Sequence, residues 1–149
     1  MRPEIHSPGT RCTRPGILCI ALYFNGEALW TYLATPFAFA MDGFRVEETA
    51  LWQEGKETWR VLRVYFPGAI ETHCQVKDFF FDERFELRRH DYSVNIAGGF
   101  PASQLMLEYT EANGLRLPSK RRAYNPGPDR RPILDMLMVS IDLSEVAFS

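Results

Sequence analysis

The chain has 149 residues, enough for one domain with a real core and too few for two comfortable ones. Hydrophobic residues make up 46% and charged residues 24%, the mixture of a soluble globular domain, and a net charge of −2 gives no electrostatic case for a nucleic-acid partner. Three cysteines, Cys12, Cys19 and Cys74, form an odd set without metal-type spacing, which argues against a disulfide framework and for a reducing cytoplasm.

Residues 1–16 hold three Pro, two Gly and three Arg with no hydrophobic period. The stretch 1–22 is therefore expected as a disordered or loosely packed tail ahead of a single domain at 23–149. The apolar run ILCIALYF at 17–24 is far shorter than a membrane span. Pro15-Gly16 before it and the lack of a small-residue cleavage site after it also speak against a signal peptide, so no membrane insertion is expected. In NGEALWTYLATPFAFAMDGF, Asn25 can cap a helix whose Ala28, Leu29, Tyr32 and Leu33 recur at helical spacing. Pro36 should end or kink that helix, with Thr35 capping a second short turn.

From residue 44 the period changes to two. RVEETALW, ETWRVLRVYF, AIETHCQVKDFFF, ELRRHDYSVNI, QLMLEYTEA, LRLPSKRRAY and ILDMLMVSIDL read as strands separated by turn residues, with Asn113-Gly114 the strongest hairpin signal. The last run is apolar on both faces and is expected inside the assembly, away from a bare edge. The resulting fold class is mainly β (α+β), an antiparallel open or half barrel of about seven strands with one N-terminal helix packed on the concave face.

LRRHDYSVNI poses the central chemical question. Strand alternation places His90, Tyr92, Val94 and Ile96 on one, mostly apolar face and Arg89, Asp91, Ser93 and Asn95 on the other. A three-residue loop at Glu83 to Phe85 sets Asp82 opposite Glu86, and even pairing from there sets Asp78 opposite His90, Val76 opposite Tyr92 and Cys74 opposite Val94. Lys77 then pairs with Asp91 on the solvent side. In that register Asp78, His90 and Tyr92 form an inward polar group, in which the carboxylate would favour the protonated imidazole and the phenol would donate a hydrogen bond. A one-residue slip would dissolve the group.

Other constellations are weaker. His73 and Cys74 are adjacent on a strand and point to opposite faces, so they cannot easily share a metal ion with His90 and Asp91. Cys74 lacks the setting of an activated nucleophile. No phosphate-binding glycine loop or nucleophile elbow occurs, so no cofactor is expected. Lys120, Arg121, Arg122, Arg130 and Arg131 surround the turn YNPGPDRRP and read as a solvated hairpin tip.

The runs YFNGEALWTYLATPF, WQEGKETWRVLRVYFPGAIETHCQVKDFFFDERFELRRHDY, NGLRLPSKRRAYNPGPDRRP and VSIDLSEVAF resemble an uncharacterised bacterial family whose C-terminal sheet is similar to the half-barrel of periplasmic lipoprotein carriers. The resemblance covers roughly residues 23–148. It departs at Phe85, where the family has Gly, and upstream of Tyr23, where this chain looks truncated at its N-terminus relative to the family. The resemblance implies a lipocalin-like or carrier-like concavity for an apolar ligand, and an open strand edge able to form a homodimer.

Three functions are expected on these grounds. The first is non-enzymatic binding of an apolar or amphipathic small molecule, with Trp30, Phe37, Phe80, Tyr92 and Met138 lining the cavity. The second is a cofactor-independent isomerase or cyclase using His90, Tyr92 and Asp78. The third is a structural or interaction domain assembling through an exposed strand edge.

Overall fold

β-branched and aromatic side chains recur through the runs after Phe44, most densely in ETWRVLRVYF and AIETHCQVKDFFF, and those runs extend into strands. The computed structural model describes residues 17–95 and 98–147, of which 17–24 by backbone alone. The expected tail at 1–16 and the inward placement of Ile96 lie outside the described residues. The strands are β1 (Arg45–Glu48), β2 (Trp52–Glu54), β3 (Glu57–Tyr65), β4 (Val76–Phe81), β5 (Leu87–Val94), β6 (Phe100–Ala112), β7 (Leu115–Pro126) and β8 (Pro132–Asp142). They form one antiparallel sheet in the order β1-β3-β4-β5-β6-β7-β8, with β2 also on β3, and no β1–β8 pairing closes it. There are eight strands and not seven because RVEETALW breaks: Glu48 pairs with Leu62 but Trp52 pairs with Trp59, a register offset of one.

Turn chemistry places the hairpins. Asn113 and Gly114 both have positive φ (51° and 79°) between paired Ala112 and Leu115, the two-residue turn whose twist suits flanking strands. The β4–β5 and β7–β8 turns share a different loop of three residues ending in a left-handed one. Phe85 (φ 59°) occupies that position between Asp82 and Glu86, and Arg130 (φ 64°) between Gly127 and Arg131. Asp82 Oδ1 accepts hydrogen bonds from the backbone N–H of Arg84 at 2.9 Å and of Glu86 at 3.0 Å, and so holds the first loop.

The loop has the expected pattern at its mouth, yet the register beyond it differs. Phe81 pairs with Leu87 but Phe80 pairs with Arg89, so Arg88 is an extra residue in β5. From there Phe79 faces His90 and Asp78 faces Asp91. The bulge turns Asp78 away from His90 and Tyr92, and turns Lys77 away from Asp91. Both expected pairings are thereby corrected.

Each face of the sheet has its own cover. On one face Val64, Phe66, Phe79, Phe81, Leu87 and Met106 form a core under Phe39 and Phe44, which belong to the segment after the helix. Beside it lies α1 (Ile17–Ala34). On the other face Trp59, Val61 and Phe80 pack with Trp52. The helix begins eight residues before the expected cap at Asn25, because the apolar run Ile17–Phe24 continues without a break into Asn25–Ala34. It ends at Ala34, ahead of a cis Thr35–Pro36 bond and a 3₁₀ turn at Phe37–Ala40. The final strand is also corrected. β8 is the sheet's edge, with Ile133, Leu134, Met136 and Leu137 exposed, because the sheet stays open.

Burial decides where substitutions hurt. Phe79→Ala, at a ring 1% exposed, is expected to cost about 3–5 kcal/mol, and Leu134→Ala, at 67% exposure, less than about 0.5 kcal/mol, measured by urea unfolding at unchanged m.

Candidate functional site

Helix α1 presents a polar stripe to the sheet. Glu27, Ala28, Thr31 and Tyr32 are buried, as is Thr35 just past the end of the helix, while Leu29, Trp30 and Leu33 face outward. Sequence periodicity finds Ala28 and Tyr32 but assigns the wrong neighbours, because the sheet beneath offers polar partners. His73 precedes β4, Lys77 lies on β4, His90 on β5, Gln104 on β6 and Arg121 on β7, and all five are buried.

Glu27 is the hub of this layer. Its carboxylate accepts hydrogen bonds from Thr72 Oγ1 at 2.9 Å, Thr31 Oγ1 at 3.3 Å and Lys77 Nζ at 3.3 Å, and pairs with His73 Nδ1 through its other oxygen. A second set joins the helix further along. Gln104 donates to Tyr32 Oη at 2.8 Å, while Arg121 donates to Gln104 Oε1 at 3.2 Å and to the Tyr32 carbonyl at 3.0 Å. The Arg121 guanidinium lies 4.5 Å from the Tyr32 ring centroid. Between the two sets, Phe79, His90 and Tyr92 stack across β4 and β5, with centroid spacings of 4.4 and 4.7 Å.

Burial sets the charge states. Desolvation pushes the Glu27 carboxyl up, but His73, Lys77 and Thr72 outweigh it and bring the pKa from 4.5 down to about 2. Desolvation lowers Lys77 against the pull of Glu27, and brings Arg121 down to about 10. It also raises both Tyr32 and Tyr92. His90 falls well below 6.5, first through desolvation and then through the cations Lys77 and Arg121, so it is neutral at pH 7. The space enclosed by Glu27, Ala28, Thr31, Tyr32, His73, Lys77, His90 and Tyr92 has no room for a water molecule.

Asp78 sits on the opposite face in a separate ion network. Arg63 grips it through two hydrogen bonds of 2.8 and 2.9 Å, and Arg130 reaches it at 3.0 Å from the β7–β8 turn. Arg89 binds Asp91 at 2.7 and 2.6 Å, donates to the Arg130 carbonyl, and lies over the rings of Trp52 and Phe80. Ser103 adds a 2.8 Å hydrogen bond to Asp91. Both carboxylates are fully engaged by arginine, which fixes the hairpin tip across this face.

An apolar groove lies at the C-terminal end of α1, where the β4–β5 hairpin meets the segment after the helix. Pro36, Arg60, Leu62, Phe81 and Phe85 line one lobe of about 290 Å³. Thr35, Phe37, Arg84, Glu86, Leu87, Tyr109, Arg116 and Pro118 extend it into a second lobe of about 260 Å³ that shares Pro36, Phe81 and Phe85.

The residues expected to form one ligand cavity are thus dispersed. Tyr92 lies under the helix and Phe80 on the opposite face, Trp30 points outward, and Met138 is on the edge strand; Phe37 alone reaches the groove. His90 and Tyr92 do share a face, without Asp78. Glu27, His73, Lys77, Gln104 and Arg121 are partners that strand and helix periodicity does not reveal. Glu27 carries a usable signal, as the sole charged side chain in the 18-residue helix. Among the described residues no group of three or more His, Cys, Asp or Glu could hold a metal ion, and no helix is long and apolar enough to cross a membrane. Comparison with protein-family models, curated proteins and solved structures gives no match to this chain.

The layer makes the fold sensitive to acid. His90 binds a proton more readily unfolded, so stability falls as pH drops below about 6.5. Glu27 contributes about 3 kcal/mol above its unfolded pKa, lost as pH falls from about 5 towards 2. Urea midpoints measured from pH 7 to pH 3 should decline in these two stages, and His90→Phe should remove the first. Glu27→Gln strands the Lys77 ammonium, and a loss of about 3–5 kcal/mol is expected; Glu27→Gln with Lys77→Met should regain at least about half, as a double-mutant cycle would read.

Proposed function

We propose that the protein is a non-enzymatic binder of an amphipathic small molecule, held in the groove around Phe85. The observation that carries this reading is the conformation of Phe85. A benzyl side chain, 69% exposed, stands on a left-handed residue in the loop position that glycine fills at no cost. Such a conformation costs on the order of 1–2 kcal/mol for a bulky residue, and exposure of the ring forfeits its hydrophobic gain as well.

The matching position in the other three-residue turn makes the contrast. Arg130 adopts the same backbone, and there Asp78, Asp91 and the guanidinium of Arg89 engage it. The Phe85 backbone N–H donates to the Asp82 carbonyl at 3.0 Å, but its exposed ring has no closer charged neighbour among the described residues than the Arg60 guanidinium, 5.8 Å from its centroid. Beside it Phe37 is 53% exposed, so two aromatic rings flank one groove floored by Leu62 and Phe81.

The groove's polar groups define the ligand. Arg60 is held by Glu48 at 2.8 Å and Arg116 by Glu86 at 2.5 Å, whereas Arg84 has no ion pair among the described residues. Tyr109 donates its hydroxyl proton to the Leu87 carbonyl, and burial pushes its pKa up to about 12. Among the described residues the groove therefore offers an apolar floor, a Glu86 carboxylate neutralised by Arg116, and Arg84 as its one unpaired cation, a match for an aliphatic body carrying an acidic head.

Calorimetric titration with dodecanoate tests this. One saturable site is expected, with dodecyltrimethylammonium and dodecanol at least about tenfold weaker. Phe85→Gly should weaken dodecanoate by about tenfold or more while raising Tm by roughly 2–4 °C, through relief of the left-handed backbone. If dodecanoate does not bind, or Phe85→Gly binds it as well as the parent chain, the reading fails.

A further inference from the structure

The two edges of the sheet are built differently. β1 is four residues long and three of them are charged, with Arg45 bound to Glu47 at 2.6 Å and Glu48 bound to Arg60 at 2.8 Å. Short, charged edges resist pairing with another chain. β8 has eleven residues, PILDMLMVSID, and Asp135 is its sole charge before the final Asp142, which Arg122 binds at 2.8 Å. Ile133, Leu134, Met136 and Leu137 are exposed, and among the described residues β7 is its only neighbour in the sheet order. Its proline stands at the first strand position, where a missing N–H does not interrupt a ladder.

We propose that β8 pairs antiparallel with β8 of a second copy of this chain. A strand binding itself about a two-fold axis forms a closed, isologous interface, whereas β8 on β1 would run on as an open polymer, which the charged β1 edge opposes. The register that uses the whole strand centres on Leu137. It sets Leu137 opposite its own copy, Met136 opposite Met138, Asp135 opposite Val139, Leu134 opposite Ser140 and Ile133 opposite Ile141. No like charges meet, and apolar side chains gain cross-strand neighbours on both faces. The two sheets become one, and every outward backbone group of β8 finds a partner.

Self-opposition at Leu137 provides a specific test on the full chain by sedimentation velocity. The unaltered protein is expected to be a dimer, and Leu137→Lys and Leu137→Glu each to weaken self-association by about tenfold or more through like charges across the axis. An equimolar mixture of the two should dimerise again, because unlike charges then face each other. Backbone amides of β8 should gain hydrogen-exchange protection as protein concentration rises. A monomer at millimolar concentration overturns the proposal. A dimer unaffected by either substitution overturns it too, since its interface lies elsewhere. Concentration-independent protection of β8 in a monomer would overturn it in favour of another segment of the same chain on that edge.

Discussion

One extra residue in β5, Arg88, decides which side chains of the central hairpin meet which cover. With the bulge, Lys77, His90 and Tyr92 turn towards the helix, while Asp78, Arg89 and Asp91 turn towards Trp52 and the β7–β8 turn. Without it β5 would turn over relative to β4, setting His90 beside Asp78 and Asp91 beside Lys77, while Lys77 and Asp78 would keep the faces that pairing with β3 gives them. The charge balance on either side of the sheet rests on that local irregularity.

From Asn25 onward, where its side chains are described, the helix turns Leu29, Trp30 and Leu33 outward and meets the sheet through Glu27, Ala28, Thr31 and Tyr32. Such a seam contributes less hydrophobic free energy than an apolar stripe of the same length. Its contribution is direction: a buried carboxylate that must sit beside His73 and Lys77 tolerates one rotation and one depth of the helix, where interlocking leucines would tolerate several. The neighbouring apolar core supplies the adhesion, through Phe39 and Phe44 on Phe79 and Phe66.

Much of the architecture is legible in the sequence, and each lapse has a local cause. Period-two runs and turn residues identify the antiparallel sheet, and the loop at Glu83 to Phe85 is legible at its mouth. The shift of Asp78 is invisible, because an inserted residue in a strand carries no compositional mark when its neighbours, Arg88 and Arg89, are alike. Burial of Arg89, Arg121 and Lys77 is equally hidden, since charged residues in strands usually face water and only tertiary partners reveal the exceptions. β8 misleads in the opposite sense: two apolar faces imply enclosure, yet the sheet has no further strand to enclose it among the described residues. Pro118 fits within β7 because it stands opposite Tyr109, beside a register shift in β6.

The two covers of the helix-bearing face also differ in how they come undone. Phe39 and Phe44 are held by dispersion and excluded water, which change little with the protonation of their surroundings. Helix α1 is held by hydrogen bonds around a few ionisable groups, and their strength depends on which groups carry protons. Acidity of the medium therefore sets how firmly one part of this face is closed and leaves the aromatic part untouched.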